Sequence, residues 1–263
     1  MIAPWPLRLA RATRHLPWFR GLSALLKVYQ RTLPSDAVYR IEDFDGDLKL
    51  DVSLRETVGI NLWHAPQLHE KEERRLFCST VGPATVVLDV GANVGIYTLL
   101  AAKRGAQVFA VEADPDNAKA LRHHVELNGF SDRVTVFEMA ATDSAQPLKL
   151  YRNPRNRGGS SLFGQCDPVQ VEGRTLDSLD LPPLDLCKMD IEGAEAQALR
   201  GMQATLARSP QMKLLVECSC LAGSPEPLLS LLHAEFAWVS IVGGGRLVPS
   251  EGVPPYCNLW AHH

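Results

Sequence analysis

The stretch Val86-Val-Leu-Asp-Val-Gly-Ala-Asn-Val-Gly95, with Glu112 closing the next apolar run, constrains this chain more than any other feature. Val86 to Leu88 and Val90 are β-branched or apolar, the composition of a strand buried on both faces. Gly91 and Gly95 permit a tight turn, and Ile96 to Lys103 reads as a helix. A strand, a glycine turn and a helix N-terminus set backbone N–H groups where a ligand can approach closely. Gln107 to Glu112 is the second strand, and it brings a carboxylate to the same edge. An acid there can accept hydrogen bonds from both hydroxyls of a ribose. The pair predicts a ligand that carries a nucleoside.

Spacing narrows the ligand. The dinucleotide fingerprint Gly-x-Gly-x-x-Gly lays bare backbone against a pyrophosphate. Counted from Gly91, Asn93 and Ile96 stand where the second and third glycines belong. Asp89 would also repel phosphate, while it could hold an ammonium. S-Adenosylmethionine has the matching parts: a ribose for Glu112, a cationic amino-acid end for Asp89 and Gly91, and no phosphate. Asp89, Gly91, Asn93 and Glu112 are therefore expected to hold it, with Gly95 and Ala140 completing the cofactor set. The alternative is a glycine turn that only packs a helix on a sheet, with Glu112 a solvated charge.

At 263 residues, 46% hydrophobic and 22% charged, the chain suits a soluble protein of one large α/β domain with an appendage, or two small domains. A net charge of −3 gives no argument for a nucleic-acid partner, and none is expected. Cys78, Cys166, Cys187, Cys218, Cys220 and Cys257 form no Cys-x-x-Cys pair and no zinc spacing, so reduced thiols in a cytoplasmic protein are the simplest reading. Met1 to Arg31 holds no acid but carries arginines at 8, 11, 14, 20 and 31. No apolar run there reaches the ~18 residues of a spanning helix, and arginines interrupt every candidate signal sequence. Residues 1–31 read as a helical cap docked on the protein with its arginines outward, in preference to a helix on an anionic membrane surface.

Ala37 to Leu54 alternates as a β-hairpin around Asp43-Phe-Asp-Gly46, and His69 to Ser79 follows as a helix. Beyond Gly95, strands and helices alternate. Asp114-Pro115 opens a helix that Asn128-Gly129 stops. Further strands are expected at Val134–Phe137, Leu184–Met189, Met212–Val216, Phe236–Val242 and Cys257–Ala261. Repeated β-α units imply a mostly parallel sheet with helices on both faces and ligands beyond the carboxyl ends of its strands. Residues 1–80 thus form a helical and hairpin extension, and residues 81–263 the cofactor-binding domain. An insertion at 144–181 holds two short strands around the basic loop Arg152-Asn-Pro-Arg-Asn-Arg-Gly-Gly159, and reads as a flap over the site. Arg152, Arg155 and Arg157 could there fork onto an anionic or polyhydroxylated acceptor.

A second cluster, Lys188-Met-Asp-Ile-Glu-Gly-Ala-Glu195, ends the fourth strand of the sheet. Alternation puts Lys188 and Asp190 on one strand face, with Glu192 at the turn. Glu195 falls on the first helical turn, where it is the acid best explained as a cap. One acid could serve as a general base, raised by its like-charged neighbours. Alternatively, Asp190 and Glu192 could hold a divalent metal, although no metal is expected. His64 and His69 are further candidates for base work.

The chain resembles the FkbM-type family of S-adenosylmethionine-dependent methyltransferases. The resemblance rests on Asp89 to Gly95, Glu112-Ala-Asp-Pro115, Gly159-Ser-Ser161, Thr175-Leu-Asp177, Lys188 to Glu195, and Glu217, in order over about residues 37 to 220. It departs where His69 precedes Glu70 in place of a family tyrosine, and where Ala113 follows the strand-two acid. The resemblance implies a class I, Rossmann-like methyltransferase fold with a seven-stranded sheet, and methyl transfer commonly to oxygen. The chemistry of methyl transfer, which needs a base near the acceptor oxygen, points to Asp190 as base or metal ligand, with Glu192 and Glu217 in support and Lys188 orienting the acid, and the resemblance puts Ser160, Ser161, His69 and Glu70 on the acceptor side. A hydroxyl or carboxyl of a small molecule, sugar or natural product is the expected acceptor. The competing readings are a nicotinamide-dependent oxidoreductase, against which the missing glycines argue, and a non-catalytic cofactor-binding accessory protein.

Overall fold

The computed structural model describes residues 8, 11, 32–34, 37–64, 66, 69–152, 160–163, 168–219, 223–244, 247, 253–254 and 256–263. These divide into two units, one of residues up to Lys71 and one from Glu72 onward.

In the first unit, β1 (Val38–Phe44) and β2 (Leu48–Ser53) form the expected antiparallel hairpin. Leu48, Leu50 and Val52 alternate inward, and the turn uses positive φ at Asp45 and Gly46. Helix α1 (Thr57–His64) follows, where the β-branched run around Val58 and Ile60 gave no helical signal. Gly59 permits it, because a Cβ there would strike the carbonyl of Ser53. Arg11 does not point outward. Its guanidinium donates to the carboxylate of Asp43 and to the Trp63 carbonyl (2.9 Å), and lies 4.8 Å over the Trp63 ring. Apart from Arg8, which is exposed, and Arg11, which is half-buried, residues 1–31 lie outside the described residues, and with them the choice between cap and membrane helix.

Helix α2 (Lys71–Thr80), in the second unit from Glu72 onward, starts two residues later than expected because His69 and Glu70 form a turn. The unit continues as β3 (Val86–Val90), α3 (Ile96–Lys103), β4 (Gln107–Glu112), α4 (Pro115–Leu127), β5 (Val134–Glu138), β6 (Ala140–Ala141), β7 (Gln146–Tyr151) and β8 (Pro168–Arg174). Then come β9 (Leu186–Met189), α5 (Glu195–Arg200), α6 (Gln203–Arg208), β10 (Lys213–Ser219), α7 (Glu226–Glu235), β11 (Trp238–Ile241) and β12 (Tyr256–His262). Seven strands form one sheet in the order β11-β12-β10-β9-β3-β4-β5. The recorded pairings are parallel except where β12 runs against β10 and β11. The order steps from β3 outward in both directions, so β3 and β9 meet at the switch point beyond whose carboxyl ends a ligand binds.

Strands β3 and β9 are almost wholly buried, as their unbroken apolar runs require. Leu88, Val90, Met189, Leu199, Leu214 and Val216 belong to the core they share with α5, α6 and α7. The sixth expected strand is shorter than Phe236–Val242, because Phe236 still bonds back to Leu232 as the end of α7. The insertion is the expected antiparallel pair, β7 on β8, with β6 added in parallel to β8. Leu150, Val171 and Ala140 give it a small core, against which Ala113 packs. Among the described residues no helix is long and apolar enough to cross a membrane.

Candidate active site

The carboxyl edge of β3, β4, β9 and β10 gathers most of the expected residues, and local bonding fixes each. Gly91 and Asn93 take positive φ in the turn after β3. A Cβ on Gly91 would collide with the carbonyl oxygen of Asp190, so the glycine lets the two strand ends touch. The turn's amides are not the open cradle expected. Gly91 and Ala92 donate to the Val111 carbonyl at 2.9 and 3.0 Å, and Asn93 donates to Glu112 Oε2 at 2.7 Å. Gly95 starts α3 at φ 96, its α-carbon against Leu121. Buried His124, which sequence reasoning missed, holds the carbonyl of Val94 at 2.7 Å through Nδ1.

Glu112 is buried with both oxygens held, Oε1 by the amide of Asp114 (2.8 Å) and Oε2 by that of Asn93. Burial pushes its pKa up to about 7 against these two amides. Each oxygen keeps a lone pair for a further donor. Asp89 is fully buried. Its Oδ2 accepts the Thr98 hydroxyl at 2.6 Å, and its Oδ1 has no partner among the described residues. Burial raises its pKa, opposed by the charge of Lys188. An orphaned buried carboxylate oxygen beside the turn and an oriented acid after β4 are the acceptors that the ammonium and ribose of S-adenosylmethionine need. Ala140 sits in β6, directly after Met139, whose amide bonds the Glu112 carbonyl.

Asp190, Glu192 and Glu217 come together from the end of β9, the turn after it and β10, with one oxygen of each within 4.8 Å of the others. Lys188 Nζ donates to Asp190 Oδ2 at 2.9 Å and lies 4.9 Å from the centre of the Tyr97 ring. Glu217 takes the hydroxyl of Tyr256 on Oε2 at 2.9 Å, a partner the sequence did not suggest. Burial and the charges of Asp190 and Glu192 push Glu217 up to about 9. Burial, then the charges of Asp190 and Glu195, push Glu192 up to about 7. Glu192 holds φ 53, a left-handed conformation maintained by its neighbours. Glu195 is the expected cap, accepting from the amides of Ile191 and Gly193 at 3.0 Å. Asp177 is likewise structural, capping α6 through the amides of Ala204 and Thr205.

The flap meets this edge differently from expectation. The hydroxyl of buried Ser161 donates to the carbonyl of Glu192 at 2.7 Å and accepts the amide of Phe163 at 3.1 Å, so it props the acidic turn. Ser160 is half-buried beside it. Arg152 is bound to Asp114 and Asp116, leaving no free fork for an acceptor. Arg155, Arg157, Gly158, Gly159, Cys166 and Cys220 lie outside the described residues. His64, His69 and Glu70 belong to the first unit, where His69 Nε2 lies 3.5 Å from Glu70 Oε1.

A seven-stranded sheet of this order, with an acid-bearing glycine turn after β3 and a buried acid after β4, defines the class I methyltransferase fold. The sequence carries the methyltransferase FkbM domain over residues 89–234. It is 28% identical over 163 residues to the 2-O-methyltransferase NoeI of Sinorhizobium fredii, covering 53% of this chain and 66% of that protein. It is also 35% identical over 117 residues to a ribosomal protein L11 methyltransferase of Chloroflexus aurantiacus, covering 43% and 34% of the two chains. These alignments span less than two thirds of each relative's length. A crystal structure of methyltransferase FkbM from Methylobacillus flagellatus superposes with a TM-score of 0.46 at 19% identity, covering 77% of this chain and 54% of that one. The chain belongs to the FkbM methyltransferase family. That membership sets aside the nicotinamide reading.

Proposed function

We propose that this enzyme methylates oxygen, on a hydroxyl or carboxyl of a small molecule, sugar or natural product. The observation that carries the reading is the convergence of Asp190, Glu192 and Glu217 beside the cofactor turn. An alcohol must lose its proton as it is methylated, and a positioned carboxylate supplies that base. NoeI, by its name a 2-O-methyltransferase, supports oxygen as the acceptor atom.

When bound, S-adenosylmethionine supplies an electrophilic methyl on a sulfonium. Glu112, steadied by Asn93 and Asp114, would hold the ribose hydroxyls, and Asp89 Oδ1 would face the ammonium end. Asp190, held by Lys188, would accept the acceptor's proton, with Glu192 and Glu217 completing the acidic wall. Holding the acceptor oxygen in line is itself a large part of the rate. Ser161 would act through Glu192, and Ser160 is proposed on the acceptor side. Among the described residues no disulfide is formed, which fits a cytoplasmic enzyme.

The test incubates purified protein with methyl-labelled S-adenosylmethionine and a panel of methyl glycosides, hydroxylated natural products, short carboxylic acids and a tRNA transcript. Label on the oxygen of a small acceptor supports the reading. Label on nitrogen or on the transcript alone overturns it.

A further inference from the structure

We infer that Asp190, Glu192 and Glu217 form a binding site for a divalent cation of the magnesium or manganese type. The inference deepens the proposed function and rests on it for the cation's task, which is to draw an acceptor hydroxyl into the acidic pocket. It reverses the expectation of no metal, because the sequence cluster offered two ligands and the fold adds a third.

Two features carry it. First, the ligand atoms come from three separate segments, the end of β9, the turn after it and the interior of β10, yet lie within 4.8 Å of one another. Oxygens bound around one hard cation stand about 3 to 5 Å apart, given bonds of roughly 2.0–2.6 Å. Second, Glu217 is 4% exposed, and its Oε1 meets no hydrogen-bond donor among the described residues. Tyr256 satisfies Oε2, and the groups gathered with Glu217 are the carboxylates of Asp190 and Glu192, acceptors like itself. A buried acceptor left without a donor among other acceptors marks a position for a positive group.

The donor set is all oxygen, which selects hard cations over zinc or copper. Three protein ligands leave open positions for water and for an acceptor hydroxyl. A cation at that point lowers the hydroxyl's pKa and fixes its direction.

The experiment titrates the full-length protein with manganese chloride, following loss of the free-ion electron paramagnetic resonance signal, and with magnesium chloride by calorimetry. Each titration is run with and without S-adenosylhomocysteine. Saturable, stoichiometric binding is expected, weakened about tenfold or more by Asp190→Asn and by Glu217→Gln. The surface variant Asp132→Asn should bind as wild type does. Should one site variant fail to fold, the other decides. Absence of saturable binding under both conditions, or wild-type affinity in a folded site variant, overturns the cation site. S-Adenosylhomocysteine affinity on the same protein separates the two readings: binding without manganese removes the cation alone, and manganese binding without it removes the cofactor site.

Discussion

Arg152 grips Asp114 with both prongs of its guanidinium, Nε to Oδ2 at 2.8 Å and an NH2 group to Oδ1 at 2.7 Å. Asp114 is fully buried and is also the N-cap of α4, accepting the Asp116 amide at 2.9 Å. The pair therefore pins the last residue of the flap's first strand region to the residue whose amide holds Glu112. Arg152→Ala strands a buried carboxylate. It is expected to cost roughly 2–3 kcal/mol in urea unfolding. It should also weaken cofactor binding, whereas Arg133→Ala on the surface should do neither.

Glu112 gives a pH signature with a definite sign. Burial lifts it from 4.5 to about 7, so between those values the folded protein holds a proton that the unfolded chain has lost. Stability from this group is thus present at low pH and is lost as pH rises through about 7, by about 3 kcal/mol in total. Cofactor affinity runs the other way, since the ionised form is the better acceptor for ribose hydroxyls, and should fall as pH drops below about 7. Calorimetry with S-adenosylhomocysteine from pH 5.5 to 8 checks it. Glu112→Gln should abolish the slope and lose about tenfold in affinity.

Asp190→Asn keeps the side-chain shape and removes the base. Methyl transfer to any acceptor found above should drop about 100-fold or more. S-Adenosylhomocysteine affinity should stay within about twofold of wild type. Full activity in a folded Asn variant would remove Asp190 from the chemistry.

Ser160 and Ser161 should separate. Ser161→Ala frees the Glu192 carbonyl and the Phe163 amide, and is expected to destabilise by about 1–2 kcal/mol. It should lower kcat through the displaced acidic turn while leaving cofactor affinity intact. Ser160→Ala should act, if at all, on the acceptor's KM. Equal effects of the two substitutions on kcat would contradict the propping role.

What the chain's order of residues determined by itself was the part built from local periodicity and turn chemistry. The apolar run into Gly91, the capped helix from Pro115 and the acids at Glu112 and Asp190 each depend on near neighbours, so the sheet and its ligand-binding edge were legible. Even Glu195 as a cap follows from its place on a helix start. Tertiary structure alone decided which polar groups were already taken. The amides of Gly91, Ala92 and Asn93 serve Val111 and Glu112 instead of a ligand, because parallel strands bring those partners alongside. Arg152 closes on Asp114, Ser161 on Glu192, and Tyr256 on Glu217, pairs far apart in the chain. A hydrogen bond reaches only about 3 Å, so which distant groups meet within that range is fixed by packing and register, and no pattern along the chain encodes it.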